Sequence, residues 1–321
     1  APTSRTLSDF CNADGHAPDG TDSDRDDTPA LLSAFAEGPG VVSIDPGYYR
    51  FGDVTIPEGA TVTGAGPATI IRSNGAKNVF LQSDVHRWRL RDVTLDGEAE
   101  GSWEERVDDG AVGLRIERCY EFEVSGVIAR AFNGAGLQLN HFGPDSRANG
   151  VGSLDRISAY ENFVGIRFDE RAEYVTASQL LCFRNVIGCA IHSGNLKITA
   201  SNFCDNVTGM LIEDKINGSH GSIGNCMFNN NLEHALICRN VEHGMAITGC
   251  QFAYSRLLIE NCKGINITNG ILSLPIVVSG EHVNRFAGNY VVPKYTTYEF
   301  SPATIVQDNF TADGLWEANG K

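Results

Sequence analysis

One phrase recurs between Asn133 and Arg239 and limits what the chain can become. It reads Asn133-Gly-Ala-Gly136-Leu-Gln-Leu-Asn140, then Asn162-Phe-Val-Gly165-Ile-Arg-Phe-Asp169, then Asn185-Val-Ile-Gly188-Cys-Ala-Ile-His192. Asn206-Val-Thr-Gly209-Met-Leu-Ile-Glu213 and Asn231-Leu-Glu-His234-Ala-Leu-Ile-Cys238 follow, and Gly113-Leu-Arg-Ile116-Glu117 is an earlier partial copy. The glycines at 113, 136, 165, 188 and 209 lie 23, 29, 23 and 21 residues apart, and His234 takes the next place after 25. A period in this range means a stacked repeat.

The residue types choose the kind of repeat. Asn and Gly tolerate the left-handed backbone of a sharp corner, and the β-branched, aromatic or leucine residues that follow suit a strand. No period contains a helix-length apolar stripe, so leucine-rich and helical repeats are excluded. The chain reads as all-β, a parallel β-helix, right-handed by the rule for parallel crossovers. Its turns stack at about 4.8 Å. Asn133, Asn162, Asn185, Asn206 and Asn231 are then expected to form one amide ladder. Phe183, Phe203, Phe228 and Phe252 are expected to stack in the core. Most of the nine cysteines fall inside strand phrases without paired metal spacing, which suits reduced core residues.

Upstream, Asp26-Asp27-Thr28-Pro29 leads into Ala30-Leu-Leu-Ser-Ala-Phe-Ala36, with Thr28 as expected N-cap and Pro29 at the first helical position. A helix here can cover the open end of a solenoid. The organisation is therefore one domain: residues 1–40 with the capping helix, 41–290 as the β-helix, and 291–321 as a C-terminal cap or tail. The segment Asp19-Gly20…Asp26-Asp27-Thr28, the short helix, and Gly40-Val-Val-Ser-Ile-Asp-Pro-Gly47-Tyr-Tyr-Arg50 resemble the opening of pectate-lyase-like β-helices, the superfamily of phage tailspikes and extracellular polysaccharide-degrading enzymes. Five residues separate Gly20 from Asp26 where that family usually has two. The resemblance implies a secreted or virion-surface protein, a polysaccharide partner and a homotrimer. It leaves the reaction open among hydrolysis, elimination, epimerisation and fructosyl transfer.

A net charge of −15 argues against nucleic acid and anionic membranes, and weakly against strongly anionic polysaccharides. No run of 18 apolar residues suggests a membrane span.

Counting from each corner gives a candidate site. The third residue is apolar in every copy, so strand alternation turns the fourth outward: Glu117, Asn140, Asp169, His192, Glu213 and Cys238. The fifth is Arg118, His141, Glu170, Ser193, Asp214 or Arg239. Two long excursions, 97–109 and 141–153, flank this column and are expected on one face. Asp169 and Glu213, two turns apart, fit the carboxylate pair of an inverting glycosidase, where one acid protonates the leaving oxygen and one carboxylate activates water. Glu170 and Asp214 are their nearest substitutes, and His192 orients the substrate. Asn140, His141 and Arg167 are candidate substrate contacts; Trp103 and Tyr160 are candidate stacking residues for sugar rings. No cofactor is expected for hydrolysis. A polysaccharide lyase would instead use Arg167, Lys215, His192 or His141 as base or cation, with Ca²⁺ held by Asp169 and Glu213. A non-catalytic glycan-binding spike is the alternative outside enzymes.

Overall fold

The computed structural model describes residues 3–12, 14–21, 24–139, 151–169, 171–215 and 218–316. Their strands form three long sheets. The first has 13 strands, from Thr3–Thr6 to Ile305–Gln307; the second has 13, from Gly47–Phe51 to Gly314–Leu315; the third has 10, from Asn78–Ser83 to Tyr298–Glu299. Each strand lies between its counterparts one turn earlier and one turn later. The pairings are parallel except where Phe310–Thr311 folds back on Gly314–Leu315. The molecule is an all-β parallel solenoid.

Inside, like stacks on like. The rings of Phe203, Phe228 and Phe252 are fully buried and lie 5.3 and 4.8 Å apart. Phe183 is not in this stack, because Cys182 pairs with Phe203 and takes the inward place. Phe183 points outward and stacks on Tyr160 at 4.8 Å. All nine cysteines are free thiols.

The amide ladder runs from Asn162 through Asn185 and Asn206 to Asn231. In each step one Oδ1 accepts from both the backbone N–H and the Nδ2 of the preceding Asn, at 3.0–3.2 Å. The same Nδ2 groups also donate to backbone carbonyls of the previous turn, as Asn185 does to Ala159 at 2.9 Å. Asn133 lies outside the ladder. Phe132 holds the equivalent place, donating its N–H to Asn162, and Asn133 accepts instead from Arg106.

The glycines serve a purpose other than the one expected. The left-handed corner residue is the one before each Asn: Glu161, Arg184, Asp205 and Asn230, with φ between +53° and +58°. Gly165 and Gly188 are needed for space. A Cβ on Gly165 would meet the Gly188 carbonyl at 2.5 Å and the Asn185 amide at 3.2 Å. The last copy also slips by one: Thr208 pairs with His234 and Ile212 with Cys238, so Ala235, not His234, follows the glycine column.

Helix α1 spans Thr28–Ala36 and buries Ala30, Leu31, Ala34 and Phe35 in the core cluster. Asp27, not Thr28, occupies the N-cap position, and Pro29 falls in the first turn. The Asp27 carboxylate accepts from Asn12 and from the Arg50 N–H, while Thr28 Oγ1 accepts from the Gly52 N–H.

Replacing Asn185 by Ala would strip partners from two buried donors of Asn162 and from the Ala159 carbonyl. The expected loss is about 2–4 kcal/mol, from the cost of unmet buried hydrogen-bonding groups, read by urea unfolding. A loss under about 0.5 kcal/mol, the size of an ordinary surface change, would show that the ladder does not stabilise the stack.

Candidate functional site

The third sheet carries the column. Its strands include Val112–Glu117, Ala135–Leu139, Val164–Phe168, Ile187–Ile191, Thr208–Glu213, His234–Arg239 and Arg256–Glu260. Register places Glu117, Asp169, His192, Glu213, Arg239 and Glu260 at equivalent positions on successive described turns. Arg239 therefore takes the place expected of Cys238, whose side chain is buried below Ile212. Asn140, His141 and Glu170, together with 141–150 of the second excursion, lie outside the described residues.

Two turns of this column meet closely. His192 Nδ1 lies 2.6 Å from Asp169 Oδ1, and Gln138 Nε2 donates to Asp169 Oδ2 at 2.8 Å. His192 is only 5% exposed despite its outward position. Its Nε2 has no hydrogen-bond partner among the described residues. With Nδ1–H donating to Asp169, Nε2 is the ring's remaining hydrogen-bonding atom. Burial alone would push the Asp169 pKa up. The hydrogen bonds from His192 and Gln138, with attraction from His192 and Arg167, outweigh burial and hold it below the ordinary 3.8.

Glu213 sits on the turn after His192, about 5 Å on at the ladder spacing. It is half-buried, and among the described residues nothing pairs with its carboxylate. Asp214, its neighbour, is differently placed. Its two oxygens accept the Ser219 and Glu242 N–H groups, which clip together two consecutive corners.

Beside the column the sheet is buried on its outer side too. Val112, Ala135, Val164 and Ala190 form a small apolar cluster separate from the core, with Phe163 and Ile187 against it. The excursion over 97–111 is tied to this face. Arg106, buried, reaches Asn133 Oδ1 and the Ala99 carbonyl, and Asp108 accepts from Arg167 Nη2 at 2.8 Å. Trp103, in the 3-10 turn Trp103–Glu105, belongs to the same excursion and is half-buried. Tyr160 lies elsewhere, on the second sheet, stacked on Phe183 and contacted by Arg130. Two participants escaped sequence reading, Gln138 and Asp108. Gln138 could have been found in the outward column two residues before Asn140, where Arg115 and Arg167 flank it.

No family model matches the chain. No curated protein matches it either. Solved structures do. The mannuronan C-5 epimerase AlgE6 A-module of Azotobacter vinelandii superposes with a TM-score of 0.65 at 15% identity, over 96% of this chain and 99% of that one. The tailspike of Escherichia coli bacteriophage HK620 gives 0.69 at 12% identity, over 98% and 66%. Pectate lyase Pel9A gives 0.60 at 12%, over 99% and 82%. The fold is that of the pectate-lyase-like β-helices. At these identities the likeness extends to the fold alone.

The depressed Asp169 pKa links the site to stability. A carboxyl held below its ordinary value stabilises the folded state above about that value, and the contribution is lost as pH falls through the folded pKa. Wild type is therefore expected to lose more stability than Asp169→Asn as pH drops below 3.8, measured by urea unfolding across pH. Parallel profiles would contradict the Asp169–His192 bond.

Proposed function

We propose that the chain cleaves glycosidic bonds in an extracellular polysaccharide, on the outer face of the third sheet. The observation that carries this is the Asp169–His192 pair, with an imidazole nitrogen and, on the next turn, a Glu213 carboxylate that have no partner among the described residues. The fold's neighbours include a tailspike crystallised with a pentasaccharide, a pectate lyase and a mannuronan epimerase, which favours a glycan as the ligand. The nearest acid–base set is one turn apart. Asp169, ionised and doubly hydrogen-bonded, suits orienting His192 or, through it, activating water. Glu213 is the group free to protonate the leaving oxygen. This revises the expected division of labour: Asp169 and Glu213 remain the carboxylates, but His192 stands between Asp169 and the reacting water. Trp103 and Arg167, on the strapped side, are the proposed contacts to the sugar. Hydrolysis of this kind takes no cofactor. The described residues do not fit calcium: no three acidic or metal-ligating side chains meet, and both Asp169 oxygens already accept hydrogen bonds.

We read α1 as the lid on the first turn, since its apolar face merges with the core. No helix among the described residues is long and apolar enough to cross a membrane. Secretion or display on a virion fits the reading. The second sheet offers a meeting face for a homotrimer. From Leu181 through Asn202, Met227, Gln251, Ile271 and Tyr290 to Phe310 its outward column holds no charge, and Leu181, Met227, Ile271 and Phe310 are each 38–44% exposed. Met227→Glu is expected to lower the mass seen by light scattering to that of one chain. A mass unchanged by that substitution, or a wild type already monomeric, would remove this face from the assembly.

Reducing-end release over a glycan panel tests the activity. His192→Ala and Glu213→Gln are each expected to lower it at least about 100-fold, the usual weight of a general acid or base. Arg118→Ala, away from the pair, serves as control. EDTA is expected to leave the rate unchanged. Full activity in both site variants would exclude this face, and loss in EDTA with an unsaturated product would point to elimination instead.

A further inference from the structure

Away from the proposed site, two cysteines lie one above the other. Cys226 and Cys250 each stand one residue before a strand of the second sheet, Met227–Asn229 and Gln251–Ala253, and those strands pair with Met227 opposite Gln251. One turn of the stack separates the two backbones by about 4.8 Å, inside the roughly 4.4–6.8 Å between Cα atoms that a disulfide spans. The side chains agree with the backbone. Cys250 Sγ accepts the Cys226 N–H at 3.5 Å, and the two residues are 3 and 2% exposed. Cys182, Cys189, Cys204 and Cys238 instead face Phe203, Met210, Asn229 and Ile259 on the next turn.

The two sulfurs also differ in acidity. A hydrogen bond with the Cys226 thiol holds the Cys250 thiol below its ordinary range; burial opposes this, and backbone hydrogen bonds assist it. The same bond, together with burial, pushes the Cys226 thiol up. One thiol is thus prepared to attack as a thiolate, and the other to follow. A groove of about 330 Å³ at the corner between the first and second sheets reaches both residues. Two of its other lining residues, Gly249 and Gly270, bring no side chain into it.

The stack has a use for a bond at this step. Along this corner Ser201, Cys250, Asn289 and Asn309 each accept a backbone N–H from the turn before. Gly270 takes the place opposite Cys250 on the following turn and has no side chain with which to continue the series.

We infer that Cys226 and Cys250 form a redox site, at which a small disulfide oxidises the two thiols to a covalent staple between consecutive turns. The Cys250 thiolate attacks one sulfur of the donor, whose S–S bond breaks, and the departing thiolate takes up the proton that Cys250 lost. Cys226 then gives up its proton and attacks the Cys250 sulfur of the mixed disulfide. The second donor thiolate leaves and takes that proton. Two electrons pass to the donor, which ends as two thiols, and the protein gains one S–S bond. The bond ties positions 24 residues apart and so restricts the unfolded chain. It stands apart from the third sheet and from the chemistry proposed there.

The test incubates the reduced full chain with 2-hydroxyethyl disulfide, alkylates the remaining thiols under denaturing conditions, and maps linked tryptic peptides by mass spectrometry with fragmentation. Wild type is expected to carry a Cys226–Cys250 bond, with Cys238, which shares a tryptic peptide with Cys226, alkylated. The oxidised protein is expected to melt about 5 °C above the same protein in dithiothreitol. In Cys226→Ala both the bond and the rise on oxidation are expected to disappear. Cys226 and Cys250 both alkylated in the folded chain, under conditions that oxidise the urea-unfolded chain, would overturn the inference. So would a bond from Cys226 to Cys238, a Cys226–Cys250 bond that lowers the melting temperature, or a rise that persists in Cys226→Ala.

Discussion

Register is the constraint on which everything else in this molecule depends. In a parallel solenoid each residue bonds to its counterpart one turn away, so a side chain's neighbours are set by its position in the turn. The buried amides from Asn162 to Asn231 enforce that register at one corner. From Asn185 on, each satisfies two donors from the turn before, and those at 162 to 231 also donate to a carbonyl, so a slip by one residue would leave several buried polar groups unmet at once. The glycines complete the device. They leave room for the carbonyl of the next turn, and a methyl group there would push the turns apart.

A second ladder does the same work with mixed chemistry. At the corner between the first and second sheets, Leu180 donates its N–H to Ser201 Oγ, Cys226 donates to Cys250 Sγ, Gly270 donates to Asn289 and Asn289 donates to Asn309. Ser, Cys and Asn share the ability to accept an N–H from one turn away, but not a letter in the sequence. This explains why one corner was legible and the other was not. Repetition of a residue type is visible in a sequence; repetition of a hydrogen-bonding role is not.

The same distinction governs the site. The outward column through Asp169, His192 and Glu213 could be read because strand alternation acts on each turn separately, and those turns share one length from corner to strand. The final copy carries an extra residue between Asn231 and the strand, so counting from His234 put Cys238 where Arg239 belongs. Phe183 failed for a related reason: its strand begins one residue earlier than the phenylalanine spacing suggests, and Cys182 faces inward. Asp108 could not have been found from any turn, because it reaches the face through an excursion of the chain, 59 residues from Arg167. Ion pairs across excursions have no periodic signature.

Stacking also explains why an unpaired carboxylate on this face is informative. Turns about 4.8 Å apart place like charges at equivalent positions close enough to repel by roughly 3 kcal/mol, so a column of acids is unstable unless cations or neutral residues intervene. Along this face they do. Arg239 follows Glu213 and precedes Glu260, bonding the latter, and Arg115 shares a strand with Glu117. His192 separates Asp169 from Glu213, and it does so by bonding one of them and leaving the other free. A purely structural spacer could be Asn or Ser. An imidazole with one nitrogen bonded to a carboxylate and the other without a partner among the described residues carries the cost of a buried, unmet polar atom. Other buried polar atoms are unmet as well, Asn78 Oδ1, Asn229 Oδ1 and His234 Nδ1 among them; what sets His192 Nε2 apart is its place between the carboxylates of Asp169 and Glu213 on consecutive turns.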